Sequence, residues 1–313
     1  MARTLIIGAG GQIGIELVEK LVELEGQENI IATDIKPLTA PVFQNITHEI
    51  LDALDAEAVF KVVKKHQVNT VYLLAAVLSA TAENNPKFSW DLNMNTLINV
   101  LELAKDGHVK KVFWPSSIAV FGPSTPKQNV PQTTITEPNT IYGISKLAGE
   151  RWCEYYNKKY QVDVRSIRYP GLIGYKSLPG GGTTDYAVDI FYHAKQNKPF
   201  ISFLSPGRTL PMMMMEDAIE GTIRLMNTEA SRIRTRSSYN IAGVSFSPQE
   251  IYEEILKHNP KFYVEYKPDY RDEIAKGWPQ SIDDSVAASE WGWEAKYNTL
   301  PKLVNEMWNN IKT

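Results

Sequence analysis

Thr4-Leu5-Ile6-Ile7-Gly8-Ala9-Gly10-Gly11-Gln12-Ile13-Gly14 is the stretch that decides the fold. Its first residues read as a short buried strand, the glycines at 8, 11 and 14 as a tight turn, and the apolar-periodic segment at about 13–25 as a helix. The same unit then recurs. Asn29 to Ile35, Thr70 to Ala76, Lys110 to Ser116 and Val162 to Tyr169 have the composition of strands, and helical patterns occupy about 55–66, 86–106 and 140–160. Parallel neighbours need a crossover, and each strand so connected is covered on both faces. A doubly wound, parallel α/β sheet is therefore expected.

Glycines spaced at 8, 11 and 14 form a G-x-x-G-x-x-G turn rather than G-x-G-x-x-G, because position 13 is Ile. Backbone that must approach a pyrophosphate cannot carry β-carbons at the contact, and the helix behind it offers free N–H groups and a positive dipole end. The second strand ends at Asp34, twenty residues past Gly14 (34 − 14), where a carboxylate can accept both ribose hydroxyls of an adenosine. At about 4 Å that carboxylate would repel a 2′-phosphate by roughly 4 kcal/mol at an effective dielectric near 20. Lys36 would soften the repulsion; NAD is favoured over NADP.

The second half is organised differently. Leu178-Pro-Gly-Gly-Gly-Thr-Thr reads as a loop, Asp185 to Gln196 resumes a helical pattern, Pro211 to Met226 reads as a helix-bearing return to the sheet, and Tyr239 to Ala242 as a late strand. A helix at about 248–258, a strand at Phe262 to Tyr266 and helices near 283–290 and 299–311 complete the chain. This predicts an NAD-binding domain over 1–170 plus about 211–243, and a smaller, discontinuous substrate lobe over about 171–210 plus 244–313.

Composition narrows the function class. A net charge of −3 over 313 residues with no basic block argues against a nucleic-acid partner. No apolar run approaches the roughly 18 residues of a membrane span. The N-terminus is too quickly glycine-rich for a secretory signal, and Cys153 is the lone cysteine, so a reducing cytoplasm is expected. The histidines at 48, 66, 108, 193 and 258 show no metal-ligand spacing, and no metal site is expected. Met212 to Met215 suggests adaptable packing, under the substrate and without any metal role.

Tyr142-Gly-Ile-Ser-Lys146 opens a long helical segment, and the i to i+4 spacing puts phenol and ammonium on one face. A phenol with an ordinary pKa of about 10 becomes a base near neutral pH only if its phenolate is stabilised, which an adjacent cation can do. Cys153, seven residues beyond Lys146, reads as a small buried thiol.

Gly8/Gly11/Gly14, Leu74-Ala75-Ala76, Ser116-Ser117-Ile-Ala-Val-Phe-Gly122, Tyr142-x-x-x-Lys146 and Arg168-Tyr169-Pro170 occur in this order, and together they resemble the extended short-chain dehydrogenase/reductase family. The resemblance implies Ser117, Tyr142 and Lys146 as the catalytic set, with Ser117 holding the reacting oxygen. It implies NAD contacts from Gly8, Gly11, Gln12, Ile13, Gly14, Asp34, Asp52, Leu74, Ala75, Ala76, Tyr142, Lys146, Tyr169 and Pro170. It also implies a homodimer packed through the helices near 86–106 and 140–160. Many members of the family act on nucleotide sugars, and in those an Arg and an Asn contact the substrate where this chain has Leu210 and Gly171.

Pro115 to Pro123, Arg168 to Ile173, Pro179 to Val188, Leu210 to Met213 and Tyr239 to Ile241 resemble instead the branch that oxidises the β-hydroxyl of L-threonine to 2-amino-3-oxobutyrate. That likeness implies substrate contacts from Ser79, Ser117, Tyr142, Gly182, Thr183, Thr184 and Trp278. The glycines at 180–182 would feed a helix whose N-terminus offers the two threonine hydroxyls and free N–H groups to an amino-acid carboxylate.

Overall fold

The computed structural model describes residues 3–312. In chain order the elements are β1 (Arg3–Ile7), α1 (Gln12–Glu25), β2 (Ile30–Asp34), β3 (Thr47–Ile50), α2 (Ala56–His66), β4 (Val68–Leu73), α3 (Ser79–Ala82), α4 (Pro86–Lys105), β5 (Lys111–Ser117) and α5 (Ile141–Tyr160). There follow β6 (Asp163–Tyr169), β7 (Gly171–Ile173), α6 (Tyr186–Lys195), β8 (Phe200–Ser202), β9 (Leu210–Met214), α7 (Met215–Asn227), β10 (Tyr239–Asn240), β11 (Val244–Phe246), α8 (Pro248–Leu256), β12 (Val264–Tyr266), α9 (Tyr270–Lys276), α10 (Ser285–Trp291) and α11 (Leu300–Asn310).

A seven-stranded sheet in the order β3-β2-β1-β4-β5-β6-β10 forms the centre, and every pairing in it is parallel. Alternation along β1 shows how both faces are filled. Leu5 and Ile7 pack with Val59, Leu97 and Val100 on one face, while Ile6 packs with Leu17, Ala218 and Ile223 on the other. Fully burying a side chain of this size contributes about 1.5–3 kcal/mol, so the helices on each face and the strands stabilise one another. Strand order reverses between β1 and β4, which places a crevice at the carboxyl ends of those strands.

A three-stranded sheet, β11-β9-β7, and a two-stranded one, β12-β8, lie against a separate core containing Ile173, Phe191, Leu210, Phe246, Ile251 and Met307. Here the chain departs from expectation. The segment from Pro211 is strand before it is helix, because Met212 and Met214 face this second core while Met213 and Met215 face the first. Such alternation is the signature of a strand between two apolar layers. Strand β4 stops at Leu73 rather than at the expected Ala76, since the Leu74 and Ala75 N–H groups both turn back to the Ile7 carbonyl at 2.8 and 3.1 Å.

Candidate active site

The glycine turn is bent by its own sequence. Gly8 has φ +87°, and a β-carbon there would come within 2.6 Å of the Ala75 nitrogen. A β-carbon at Gly14 would lie 2.6 Å from both the Gly8 and Ala9 carbonyl oxygens, so Gly14 lets α1 start directly on the turn. At Gly11 the protein sets no such limit: its nearest neighbour would be the Gly8 oxygen at 3.6 Å, an ordinary contact. The open side of Gly11 faces a cavity of about 220 Å³ that Gly8, Asp34, Asp52, Leu74, Ala75 and Ala76 also line. Asp34 is aimed by two backbone donors, Gly10 N–H at 3.0 Å and Lys36 N–H at 3.2 Å. A cradle with room against bare backbone, ending in an oriented carboxylate, fits the pyrophosphate and adenosine ribose of a dinucleotide.

A second cavity, about 140 Å³, opens beside it over the ends of β4 to β6. Gln12, Ile13, Leu74, Ala76, Tyr169 and Pro170 line its cofactor side. Ser117, Tyr142 and Lys146 form its floor; Ser79, Gly182, Thr183, Thr184 and Trp278 form the remaining wall. All the residues implied by resemblance therefore border one or other cavity except Gly14, which acts through the turn itself.

Helix α5 reaches the floor because Thr140 caps it, accepting from Gly143 N–H at 3.1 Å, and because Gly143 leaves space for the Ala119 carbonyl, which a β-carbon would meet at 2.1 Å. Lys146 Nζ donates to the Pro115 carbonyl at 2.6 Å and lies 5.5 Å from the Tyr142 ring centroid. Burial pushes Tyr142 up to about 12, with the Ser117 hydroxyl acting in the opposite direction. Burial also pushes Lys146 down to about 7, against the pull of Cys153 and Glu150. Each group thus resists charging alone, and the pair is sensitive to any further charge placed beside it. Cys153 is fully buried, and burial raises its thiol well above the usual range, so the thiol is inert.

On the wall, Ser79 Oγ and Thr183 Oγ1 are 3.2 Å apart although 104 residues separate them. The helix expected from Asp185 begins at Tyr186, with Asp185 rather than a threonine in the capping position. The Asp185 carboxylate accepts from Gly181 and Gly182 N–H at 2.8 Å each, and Thr183 N–H points to Ser79 Oγ at 3.4 Å. Thr183 and Thr184 consequently sit in a turn clasped by Asp185, and the Gly181, Gly182 and Thr183 N–H groups are engaged within it. The loop before them is held over α1 by Gln12 Nε2, which donates to the Leu178 carbonyl at 3.0 Å. Tyr169 borders the cavity with its ring while its hydroxyl is paired with Thr222. Of the methionine run only Met215 reaches the cavity.

Leu210 is fully buried in the second core and touches neither cavity. At Gly171 a β-carbon would overlap Met212 Sδ at 2.4 Å and the Thr184 side chain at 2.8 Å, so any larger residue would displace the threonine turn. Of these two positions Leu210 is given over to the core, while Gly171 lies on the cavity wall beneath the threonine turn.

Residue spacing did not reveal Asn93. It is buried in α4, accepts from Val77 N–H at 2.8 Å, and donates to the Val77 carbonyl and Ser145 Oγ, which ties the loop after β4 to both long helices. Ser89, Asn93 and Thr96 recur at one-turn spacing on the buried face of α4, and that polar stripe is its visible signal. Among the described residues, no group of three or more His, Cys, Asp or Glu could hold a metal ion. A larger cavity of about 710 Å³, lined by Glu16, Lys176, Glu216 and Lys296 among others, contains none of the residues above.

The family model for NAD-dependent epimerases and dehydratases matches residues 4–242. The chain belongs to that family, the extended short-chain dehydrogenase/reductases. It is an NAD-dependent oxidoreductase, and its cofactor is NAD. An uncharacterized epimerase/dehydratase of Staphylococcus aureus is 46% identical over 310 residues, covering 98% of this chain and 96% of its own. A solved L-threonine dehydrogenase from Cupriavidus necator in its holo form is 52% identical with a TM-score of 0.96, covering 99% of this chain and 100% of its own. The L-threonine dehydrogenase from Clostridium difficile is 45% identical, with a TM-score of 0.96 and 99% and 98% coverage. The nucleoside-diphosphate-sugar epimerase of Agrobacterium tumefaciens shares the fold at 20% identity, with a TM-score of 0.83 and 97% and 92% coverage. No helix among the described residues is long and apolar enough to cross a membrane.

Proposed function

We propose that the chain oxidises the β-hydroxyl of L-threonine to 2-amino-3-oxobutyrate, with Tyr142 as the base, Ser117 as the oxygen partner and Lys146 as the charge that supports the phenolate. The observation that carries this reading is the meeting of Ser79 with Thr183 on the wall of a cavity whose floor is Ser117 and Tyr142. The nicotinamide would enter the same cavity past Gln12, Ile13 and Pro170, which leaves the side walled by Ser79, Thr183 and Trp278 for the substrate. The likeness to solved L-threonine dehydrogenases supports the same substrate.

In this mechanism Ser117 and Tyr142 both address the substrate's β-oxygen, and the Tyr142 phenolate takes its proton as the C–O bond gains double-bond character. Lys146 remains an ammonium, held by the Pro115 carbonyl. Bound NAD supplies the acceptor for the β-hydrogen, as hydride, and a positive ring charge that opposes the burial-driven rise in the Tyr142 pKa. Asp34 sets the cofactor's position through the adenosine ribose and disfavours NADP. Ser79, Thr183 and Thr184 hold the substrate carboxylate with hydroxyl donors, and Trp278, 6% exposed, shuts water from the far side. The NAD-binding unit comprises 1–170 plus about 211–243, and the substrate lobe the rest.

The alternative of nucleotide-sugar epimerisation would leave no net NADH, so incubation with L-threonine and with UDP-sugars separates the two. NADH formation with threonine, abolished in Tyr142→Phe, is the result expected; sugar interconversion without NADH would overturn the reading. We further propose a homodimer through α4 and α5, whose Phe88, Trp90, Trp152 and Tyr155 are exposed aromatics on the two packed helices. Light scattering giving a monomer mass would refute it.

A further inference from the structure

Three consecutive residues at the end of β5 meet three residues placed successively one turn apart on α5. Ser117 faces Tyr142, the Pro115 carbonyl accepts from Lys146 Nζ at 2.6 Å, and Ser116 Oγ donates to Glu150 Oε1 at 2.7 Å. The first two contacts belong to the candidate catalytic set. The third does not touch the cavity's reacting groups, yet it is the most completely locked of the three. Glu150 is fully buried, and it accepts a two-pronged pair from Arg168, Nε at 2.8 Å and Nη2 at 2.7 Å. Arg168 stands opposite Ser116 in the β5–β6 register. Its remaining nitrogen, Nη1, donates to Asn240 Oδ1 on β10 at 3.1 Å and to the Gln132 carbonyl at 3.2 Å.

We propose that Glu150, locked by Arg168 and Ser116, is a positioning residue that fixes α5 against the end of β5, so that Tyr142, Lys146 and Ser117 converge on one substrate oxygen. Two features give it this role rather than mere core packing. A buried two-pronged guanidinium–carboxylate pair holds a geometry as well as a distance, because two parallel bonds resist both sliding and rotation of the helix. It also attaches to the residue between the two that matter: Ser116 is flanked by Pro115, which orients Lys146, and by Ser117. A slip of α5 along its axis would break the Ser116 tie and the Lys146–Pro115 bond together.

Glu150 also acts on Lys146 electrostatically. The charged and titratable groups around that ammonium are Tyr142, Cys153 and Glu150 on its own helix, and Arg168 reaching across from β6 behind Glu150. Burial drives Lys146 toward the neutral form, and the Glu150 charge opposes this. Replacing Glu150 by a neutral isostere leaves Arg168 as an uncompensated cation nearby, which moves Lys146 further in the same direction. Positioning and charge therefore fail together in one variant and separately in another.

The proposal rests on the assignment of Tyr142 and Lys146 as the catalytic pair, which Tyr142→Phe tests on its own. Glu150→Gln should lower kcat with L-threonine while leaving the KM for threonine and the Kd for NAD unchanged. The limb of its pH profile on which Lys146 loses its proton should move to lower pH, because the Glu150 charge that opposes burial is gone. Glu150→Asp, which keeps the charge but shortens its reach, should restore the limb and recover only part of kcat. Should Glu150→Gln fail to fold, Ser116→Ala removes the hydroxyl tie and keeps the ion pair; it should lower kcat with the pH limb in place. The proposal is overturned if Glu150→Gln folds and its pH profile and kcat match the parent, or if Ser116→Ala lowers the melting temperature with kcat unchanged. Activity surviving in Tyr142→Phe would instead remove the catalytic assignment beneath it.

Discussion

The two cavities are built by different means. The cofactor cradle is set chiefly by one stretch, Gly8 to Asp34: a backbone turn, a helix start and a carboxylate aimed by two N–H groups. The substrate wall is assembled from Ser79, Ser117, Tyr142, Thr183 and Trp278, side chains delivered by distant segments. Backbone constraints can be met only by glycine at set spacings, so such a site announces itself in the sequence. A side-chain wall depends on the fold to bring its parts together, and its specificity can change without disturbing the cradle.

That contrast can be broken first at Tyr142. Its replacement by Phe removes general-base catalysis, which contributes about 10²–10⁴-fold, and should leave the Kd for NAD unchanged by fluorescence titration. On the cradle side, Asp34→Ala removes a charged partner of the ribose hydroxyls. At about 1.5–3 kcal/mol for hydrogen bonds to a charged group, the KM for NAD should rise by roughly ten- to a hundredfold, with the preference over NADP reduced. An unchanged NAD/NADP ratio would show that Asp34 does not read the ribose.

Ser79→Ala and Thr183→Val should each raise the KM for threonine by about fivefold to tenfold, at about 1 kcal/mol per neutral hydrogen bond, with kcat and NAD affinity retained. Loss of kcat instead would place these hydroxyls at the reacting carbon. A finer contrast lies within the cradle. Gly14→Ala should lower the melting temperature because two carbonyls crowd the position, whereas Gly11→Ala should keep it and weaken NAD binding. Equal effects would mean the middle glycine serves the turn alone.

The pH response is the subtlest test. Oxidation needs Tyr142 deprotonated, so the rate falls as pH falls; its pKa is raised by burial and drawn down by the Ser117 hydroxyl. Ser117→Ala should therefore shift the rising limb of kcat to higher pH, besides lowering kcat. A limb that stays in place would separate Ser117 from the base.

Much of the central sheet was legible because β1, β2, β4, β5 and β6 are apolar runs buried on both faces. The elements that escaped have no such pattern. Strand β3 is an edge strand with mostly exposed side chains, and β7, β8 and β11 are only three residues long. Helix α9, which delivers Trp278, is short and polar. At the site, the glycine spacing and Tyr142 with Lys146 could be read from local order. The clasp of Asp185 on Gly181 and Gly182, the Asn93 tie to Val77 and the Glu150–Arg168 lock could not, because each depends on which side chain turns inward.

The central claim is that the small cavity turns over a free amino acid rather than a nucleotide sugar. NADH formation by the purified protein with NAD and a panel of L-threonine, L-serine and UDP-sugars tests it directly. The account predicts sustained NADH production with L-threonine and none with the UDP-sugars. Interconversion of a UDP-sugar without net NADH, and no NADH from L-threonine, would contradict it.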